Sequence, residues 1–202
     1  MPIINTKERE ISCKIVYYGP SLGGKTTNIQ QIHAKSPADQ RSQLQCVNTQ
    51  GDRTLFFDHF DLNLGSVGGM KTRFQIYGVP GQVRYRVTRK MVLSGVDGVV
   101  FVADSSGSRL GHNIESLEDL RWLLSEYDYD FASIPLVFQY NKRDLPDARP
   151  VEELARMLDQ CCRQAFEAVA IEGVGVTETF KAVCAEVVAK LNGSMEHVPD
   201  RQ

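Results

Sequence analysis

Apolar and polar positions along the chain alternate between two periods, and the alternation predicts the elements. Residues 11–18 form an apolar, β-branched run that reads as a buried strand, and residues 25–32 read as a helix. Residues 35–51 are polar, lack a period and contain Pro37, which reads as an irregular connection. Residues 54–60 look like a strand, and Gly65-Ser66-Val67-Gly68-Gly69 is a turn signal. In residues 71–77, Thr72, Phe74 and Ile76 share one face while Arg73 and Gln75 share the other, so this strand is half-buried. Two strands around a glycine-rich turn predict an antiparallel hairpin. A fully apolar strand at 99–103 follows and ends at Asp104. Residues 116–127 form an amphipathic helix with Leu117, Leu120, Leu123 and Leu124 inward. A buried strand at 134–140 runs into Asn141-Lys142-Arg143-Asp144, and Pro150 opens a helix through Leu154 and Leu158. A short strand at 165–169 and a helix at 177–191 complete the series, with Asn192-Gly193 as its stop.

Strands alternating with helices predict an α/β fold: a mostly parallel central sheet with one antiparallel edge strand and helices on both faces. One domain is expected over 1–193, with a flexible tail over 194–202. Sheets of this kind bind ligands at the carboxyl ends of their strands, so the loops after the buried strands should converge.

Composition narrows the class. The chain has 202 residues, 42% hydrophobic and 24% charged, which is ordinary for a globular domain. A net charge of −2 argues against nucleic-acid binding through a broad basic surface. No apolar run reaches membrane-spanning length, residues 1–10 do not resemble a signal peptide, and neither terminus carries a lipidation motif. No direct membrane insertion is expected; a partner would bring the protein to a membrane. Five cysteines (13, 46, 161, 162 and 184) without a C-x-x-C fit a reducing cytoplasm, with Cys184 as a small core residue. The four histidines are scattered and suggest no metal cluster.

The chemistry begins at Gly19-Pro20-Ser21-Leu22-Gly23-Gly24-Lys25-Thr26, which fits the phosphate-binding pattern G-x-x-x-x-G-K-[ST]. A strand precedes it and a helix follows, the context that lets backbone N–H groups and a helix N-terminus cradle phosphate oxygens. Lys25 would reach the β- and γ-phosphates and the Thr26 hydroxyl would ligate Mg²⁺. Asn141-Lys142-Arg143-Asp144 then selects the base. A carboxylate at Asp144 can accept from both guanine N1–H and the exocyclic amine, a donor pair adenine lacks. Asn141 would brace the loop and the Lys142 stem would cover the base.

With these motifs in place the chain resembles the Ras-like small GTPases, and more closely the bacterial MglA family of gliding-motility and polarity GTPases. The resemblance covers residues 3–191. It is carried by Cys-Lys-Ile-Val-Tyr-Tyr-Gly-Pro at 13–20, Asp-Arg-Thr-Leu-Phe-Phe-Asp at 52–58, Val-Pro-Gly-Gln at 79–82, Gly-Val-Asp-Gly-Val-Val-Phe-Val-Ala-Asp at 95–104, and Gln-Tyr-Asn-Lys-Arg-Asp-Leu-Pro at 139–146. The resemblance implies a nucleotide site of Gly19, Ser21, Leu22, Gly23, Gly24, Lys25, Thr26, Thr27, Gly81, Asn141, Lys142, Asp144 and Ala170. It makes Gln82 the residue that orients the attacking water and Arg53 an arginine finger supplied in cis after a conformational change. Mg²⁺ would be held by Thr26 and Thr54. Ala170 would offer its backbone N–H to the base. The family's partners are a Roadblock/LC7-type activating protein and effectors at the switch loops, and its place is the cytoplasm, with recruitment to a cell pole.

Two positions depart from the pattern. Small GTPases usually carry Asp three residues before the switch II glycine, where this chain has Gly78; Asp58 is the expected replacement, holding the metal through water, with Asp52 as second choice. Ser21 stands where relatives generally have glycine, which predicts slower hydrolysis and leaves a non-hydrolysing, nucleotide-dependent interaction module as the alternative. An ATP-using kinase is disfavoured by Asn141-Lys142-Arg143-Asp144. The basic run Arg84, Arg86, Arg89 and Lys90 reads as a solvated face or a partner surface.

Overall fold

The central strand pairs explain the rest of the architecture. The computed structural model describes residues 2–49, 53–158 and 163–195. Strand β1 (Ile3–Asn5) lies antiparallel on β2 (Glu10–Tyr18), which leads into helix α1 (Lys25–Lys35). Strands β3 (Gln45–Thr49), β4 (Arg53–Val67) and β5 (Met70–Gly78) follow, then helix α2 (Arg86–Leu93) and strand β6 (Gly98–Asp104). Helix α3 (Leu110–Ser125), strand β7 (Leu136–Asn141), helix α4 (Val151–Leu158), strand β8 (Ala165–Glu167) and helix α5 (Val176–Met195) complete the described chain. The sheet order is β3-β4-β5-β2-β6-β7-β8, with β1 paired to β2 off that path.

The β2–β5, β2–β6, β6–β7 and β7–β8 pairs are parallel, as the alternation of elements predicts. The hairpin β4–β5 turns back antiparallel at one side of the sheet. Beyond it lies β3, in the segment that reads from sequence as an irregular connection. Its residues Gln45, Cys46, Asn48 and Thr49 have no apolar alternation, yet they pair with β4. Backbone pairing to a neighbouring edge needs no side-chain pattern. Helix α5 runs through Met195, two residues past the expected domain boundary.

Successive residues of a strand face opposite sides, so the buried strands feed two cores. Ile11, Cys13, Ile15 and Tyr17 of β2, with Val100, Val102 and Val137, pack under α1 and α5. Val16 and Tyr18, with Val99, Phe101, Leu136 and Phe138, pack under α2, α3 and α4. Cys184 is buried in the first core, where burial raises its thiol pKa above the usual range. At the β4–β5 end, β4 and β5 present a polar and aromatic face, with His59 stacked on Tyr77 at 4.2 Å between ring centroids.

No described helix is long and apolar enough to cross a membrane, and the described residues hold no cluster of three or more His, Cys, Asp or Glu side chains that could ligate a metal.

Candidate functional site

The loop between β2 and α1 folds as its glycines require. Gly19 has φ +142 and Gly24 φ +100, and a Cβ on Gly24 would lie 2.1 Å from the Asn141 amide nitrogen. Leu22, between them, also sits in the left-handed region at φ 63. This sequence of turns aims backbone N–H groups inward to form an anion cradle. Lys25 is buried at its floor, and its Nζ donates to the carbonyls of Gly19 (2.9 Å) and Pro20 (2.7 Å). Burial is the main cause holding the Lys25 pKa down at about 7; Arg89 and Arg109 lower it too, and Asp58 opposes them. A cation discouraged in this way regains its charge when an anion arrives beside it. Ser21 and Thr27 are half-buried on either side of the cradle, while Leu22 is exposed.

Asn141, at the end of β7, joins three loops. Its Nδ2 donates to the Gly23 carbonyl at 2.8 Å, and its Oδ1 accepts from the Ala170 N–H at 2.9 Å. The expected base-facing N–H of Ala170 is therefore engaged by Asn141 here, and a base oxygen would have to share that donor. Lys142 adopts φ 66, and its Nζ meets Asp104 Oδ2 at 2.7 Å, which holds the ammonium in place. Asp144 is exposed on the same turn.

Asp58 is 1% exposed and lies opposite Gly78 in the β4–β5 ladder. Its Oδ2 accepts from the Thr26 hydroxyl at 2.6 Å, and the thiol of Cys46, its cross-strand partner, also hydrogen-bonds it. A Cβ on Gly78 would stand 3.2 Å from Asp58 Oδ2 and 2.5 Å from Ile29 Cδ1. A carboxylate thus stands beside the position where Gly78 lacks one, brought there by the neighbouring strand. A hydroxyl and a carboxylate are hard oxygen donors, the set that suits Mg²⁺ when phosphates supply the remaining ligands.

Gly81 presses on the phosphate loop: a Cβ there would lie 2.3 Å from the Ser21 nitrogen. Ser21, Gly81 and Gln82 line a cavity of about 310 Å³ closed on its far side by α3. Arg53 and Thr54 open β4, opposite Thr49 and Asn48. The side chains of residues 53–56 lie outside what the structure describes, and so does Asp52 altogether.

Four residues escaped the sequence reading. Arg109 donates to the Ser21 carbonyl at 2.7 Å and lies 3.6 Å from Asp104, so Asp104 ties the base loop to the phosphate loop. Asn28 donates to the Gly24 carbonyl and accepts from Gln139, a buried string beneath the cradle. The signal for Gln139 was available: it is a polar residue inside a strand otherwise read as core. Arg109 carried none, because it sits in an aperiodic loop. One expectation is corrected. Arg89 is 5% exposed, so it belongs to neither a solvated face nor a partner surface, whereas Arg84 and Arg86 are exposed.

A glycine cradle with a buried lysine, braced to a base-reading loop on a mixed α/β sheet, defines a P-loop guanine-nucleotide-binding protein. Comparison with known proteins agrees: the ADP-ribosylation factor family model matches residues 3–187, and the chain belongs to that family of small GTPases. Mutual gliding-motility protein MglA of Myxococcus xanthus (strain DK1622) is 54% identical over 191 residues, spanning 95% of this chain and 98% of that protein. ADP-ribosylation factor-like protein 6 of Caenorhabditis elegans is 30% identical over 179 residues, spanning 86% and 85%. Ras-related protein Rab-25 of Oryctolagus cuniculus is 26% identical over 199 residues, spanning 96% and 86%.

Proposed function

We propose that this chain is a molecular switch that binds GTP and GDP with Mg²⁺, hydrolyses GTP slowly unless a partner assists, and acts in cell polarity or gliding motility. The observation that carries nucleotide binding is the Asn141 side chain, which locks the phosphate loop, the base loop and the Ala170 turn into one unit. Asp144 reads guanine, Lys25 neutralises phosphate charge, and the Gly19–Thr26 backbone supplies N–H donors. Bound Mg²⁺ would neutralise charge on the β- and γ-phosphates; Thr26 and Thr54 would hold it, with Asp58 acting through water. Gln82 orients the attacking water, and Arg53 completes the charge neutralisation once its strand has moved.

Slow turnover is supported by Ser21, a residue larger than the glycine the pattern expects, lining the same cavity as Gly81 and Gln82. An activating partner of Roadblock/LC7 type, as the resemblance implies, would act at the switch loops. An exposed apolar stripe there, Val83 (71%), Val87 (73%) and Met91 (69%), supports a protein-binding face. The motility role rests on the similarity to MglA, and the expected location is the cytoplasm with partner-driven recruitment to a pole.

Titration with fluorescent GTP and ATP, followed by single-turnover hydrolysis with and without a Roadblock-type protein, tests the reading. GTP should bind at least about a thousandfold tighter than ATP, since adenine would leave the Asp144 carboxylate without the donor pair that guanine offers it. Equal affinities, or no phosphate release under either condition, would overturn it.

A further inference from the structure

Behind the Gln82 loop, one carboxylate gathers three elements. Arg89 sits on α2 but points inward. Its Nη1 donates to the carbonyls of Pro80 (3.3 Å) and Gln82 (2.5 Å). Its Nε and Nη2 both lie 2.9 Å from Asp119 Oδ2 on α3. Asp119 also accepts from the Tyr18 hydroxyl of β2 at 2.5 Å and pairs with Arg86 Nε at 3.0 Å. The Arg86 guanidinium in turn lies 3.7 Å over the ring of Trp122, the chain's single tryptophan.

A buried ion pair is a weak source of stability compared with apolar packing of the same volume. What the guanidinium does that an apolar side chain cannot is present a planar fork of donors to fixed acceptors on two sides. One side is a frame of β2 and α3. The other is the backbone immediately before and after Gly81, which rests on Ser21. The frame therefore sets the height of the Gln82 loop over the phosphate loop.

We propose that Asp119, acting through Arg89, is the positioning residue for the Gln82 loop, and that the Arg86–Trp122 stack reports whether this latch is closed. The proposal rests on the reading of Gln82 as the residue that orients water. Neither Asp119 nor Arg89 needs to touch the nucleotide. A shift of about 1 Å in a reacting group costs on the order of a hundredfold in rate, so a loosened latch is kinetically visible.

The test uses the full chain with Asp119→Asn, which removes the charge, and Arg89→Lys, which keeps the charge but loses the fork. Both should slow single-turnover GTP hydrolysis by about 10–100-fold while GTP and GDP affinities stay within about twofold, the pattern of a lost transition-state contact. In the GDP-bound state both should move Trp122 emission toward that of Arg86→Ala, which defines the unstacked ring. If Asp119→Asn does not fold, Tyr18→Phe removes a single hydroxyl donor to Asp119 and should give smaller changes of the same sign in rate and emission. Unchanged hydrolysis with unchanged emission would overturn the latch, and so would a loss of affinity in step with rate. Gln82→Ala separates the two readings. If that variant hydrolyses GTP normally, the role of Gln82 fails, and the emission of Asp119→Asn still decides whether the latch exists.

Discussion

The two halves of the nucleotide site are built differently. The half formed by the phosphate loop and the base loop is cross-braced by buried side chains: Asn141 to Gly23 and Ala170, Asn28 to Gly24 and Gln139, Lys25 to Gly19 and Pro20. Among the described residues, the switch half meets it where Asp58 accepts from Thr26 and where Gly81 rests on Ser21. Many satisfied buried bonds make a unit that is costly to disturb, because each broken partner leaves a polar group without water. A few junctions at the edge of moving segments can open and close at modest cost. On the reading proposed above, the grip on the nucleotide would stay rigid while the parts beside the third phosphate rearrange, which is the division a switch requires.

That contrast can be broken from either side. The largest effect should come from Asn141→Ala, which strips partners from the Gly23 carbonyl and the Ala170 N–H at once. Two buried groups at about 1–3 kcal/mol each amount to a loss of roughly hundredfold or more in guanine-nucleotide affinity, read by fluorescence titration. A loss below tenfold would show that the bracing is not what holds the loops together.

A smaller and more selective effect belongs to Asp58→Ala. A hydrogen bond to a charged group contributes about 1.5–3 kcal/mol, so nucleotide dissociation in the presence of Mg²⁺ should accelerate by roughly 10–100-fold. Adding a chelator should then change the variant's rate far less than it changes the wild type's. Wild-type dissociation kinetics in the variant, with and without Mg²⁺, would remove Asp58 from the metal site. The smallest effect is expected at Ser21→Gly. Removing the serine side chain from the cavity it shares with Gly81 and Gln82 should raise the single-turnover hydrolysis rate severalfold with little change in binding, and an equal rate would show that Ser21 does not limit turnover.

Periodicity made most of the fold legible: the buried strands, the hairpin and the helices from α3 onward all carry the spacing that their burial demands. The phosphate loop and the base loop were legible as well, because glycine placement and the order strand, loop, helix encode them locally. Strand β3 was not, since its pairing is satisfied by backbone groups that any side chain permits. Arg89 could not be told from its neighbours Arg84 and Arg86 in a basic run, because only the facing of the helix decides which arginine is buried against the carbonyls of Pro80 and Gln82.

By itself, the sequence determined the class of fold, the phosphate cradle and the preference for guanine, all of which rest on residues close together in the chain or on a fixed motif. It also raised the question of the carboxylate missing at Gly78. Only the tertiary structure lays Asp58 across the ladder from Gly78 and within reach of Thr26. The same holds for Asp119 and Arg89, thirty residues apart. Hydrogen bonds between side chains distant in sequence depend on strand register and helix facing, and neither is written in any local stretch of the chain.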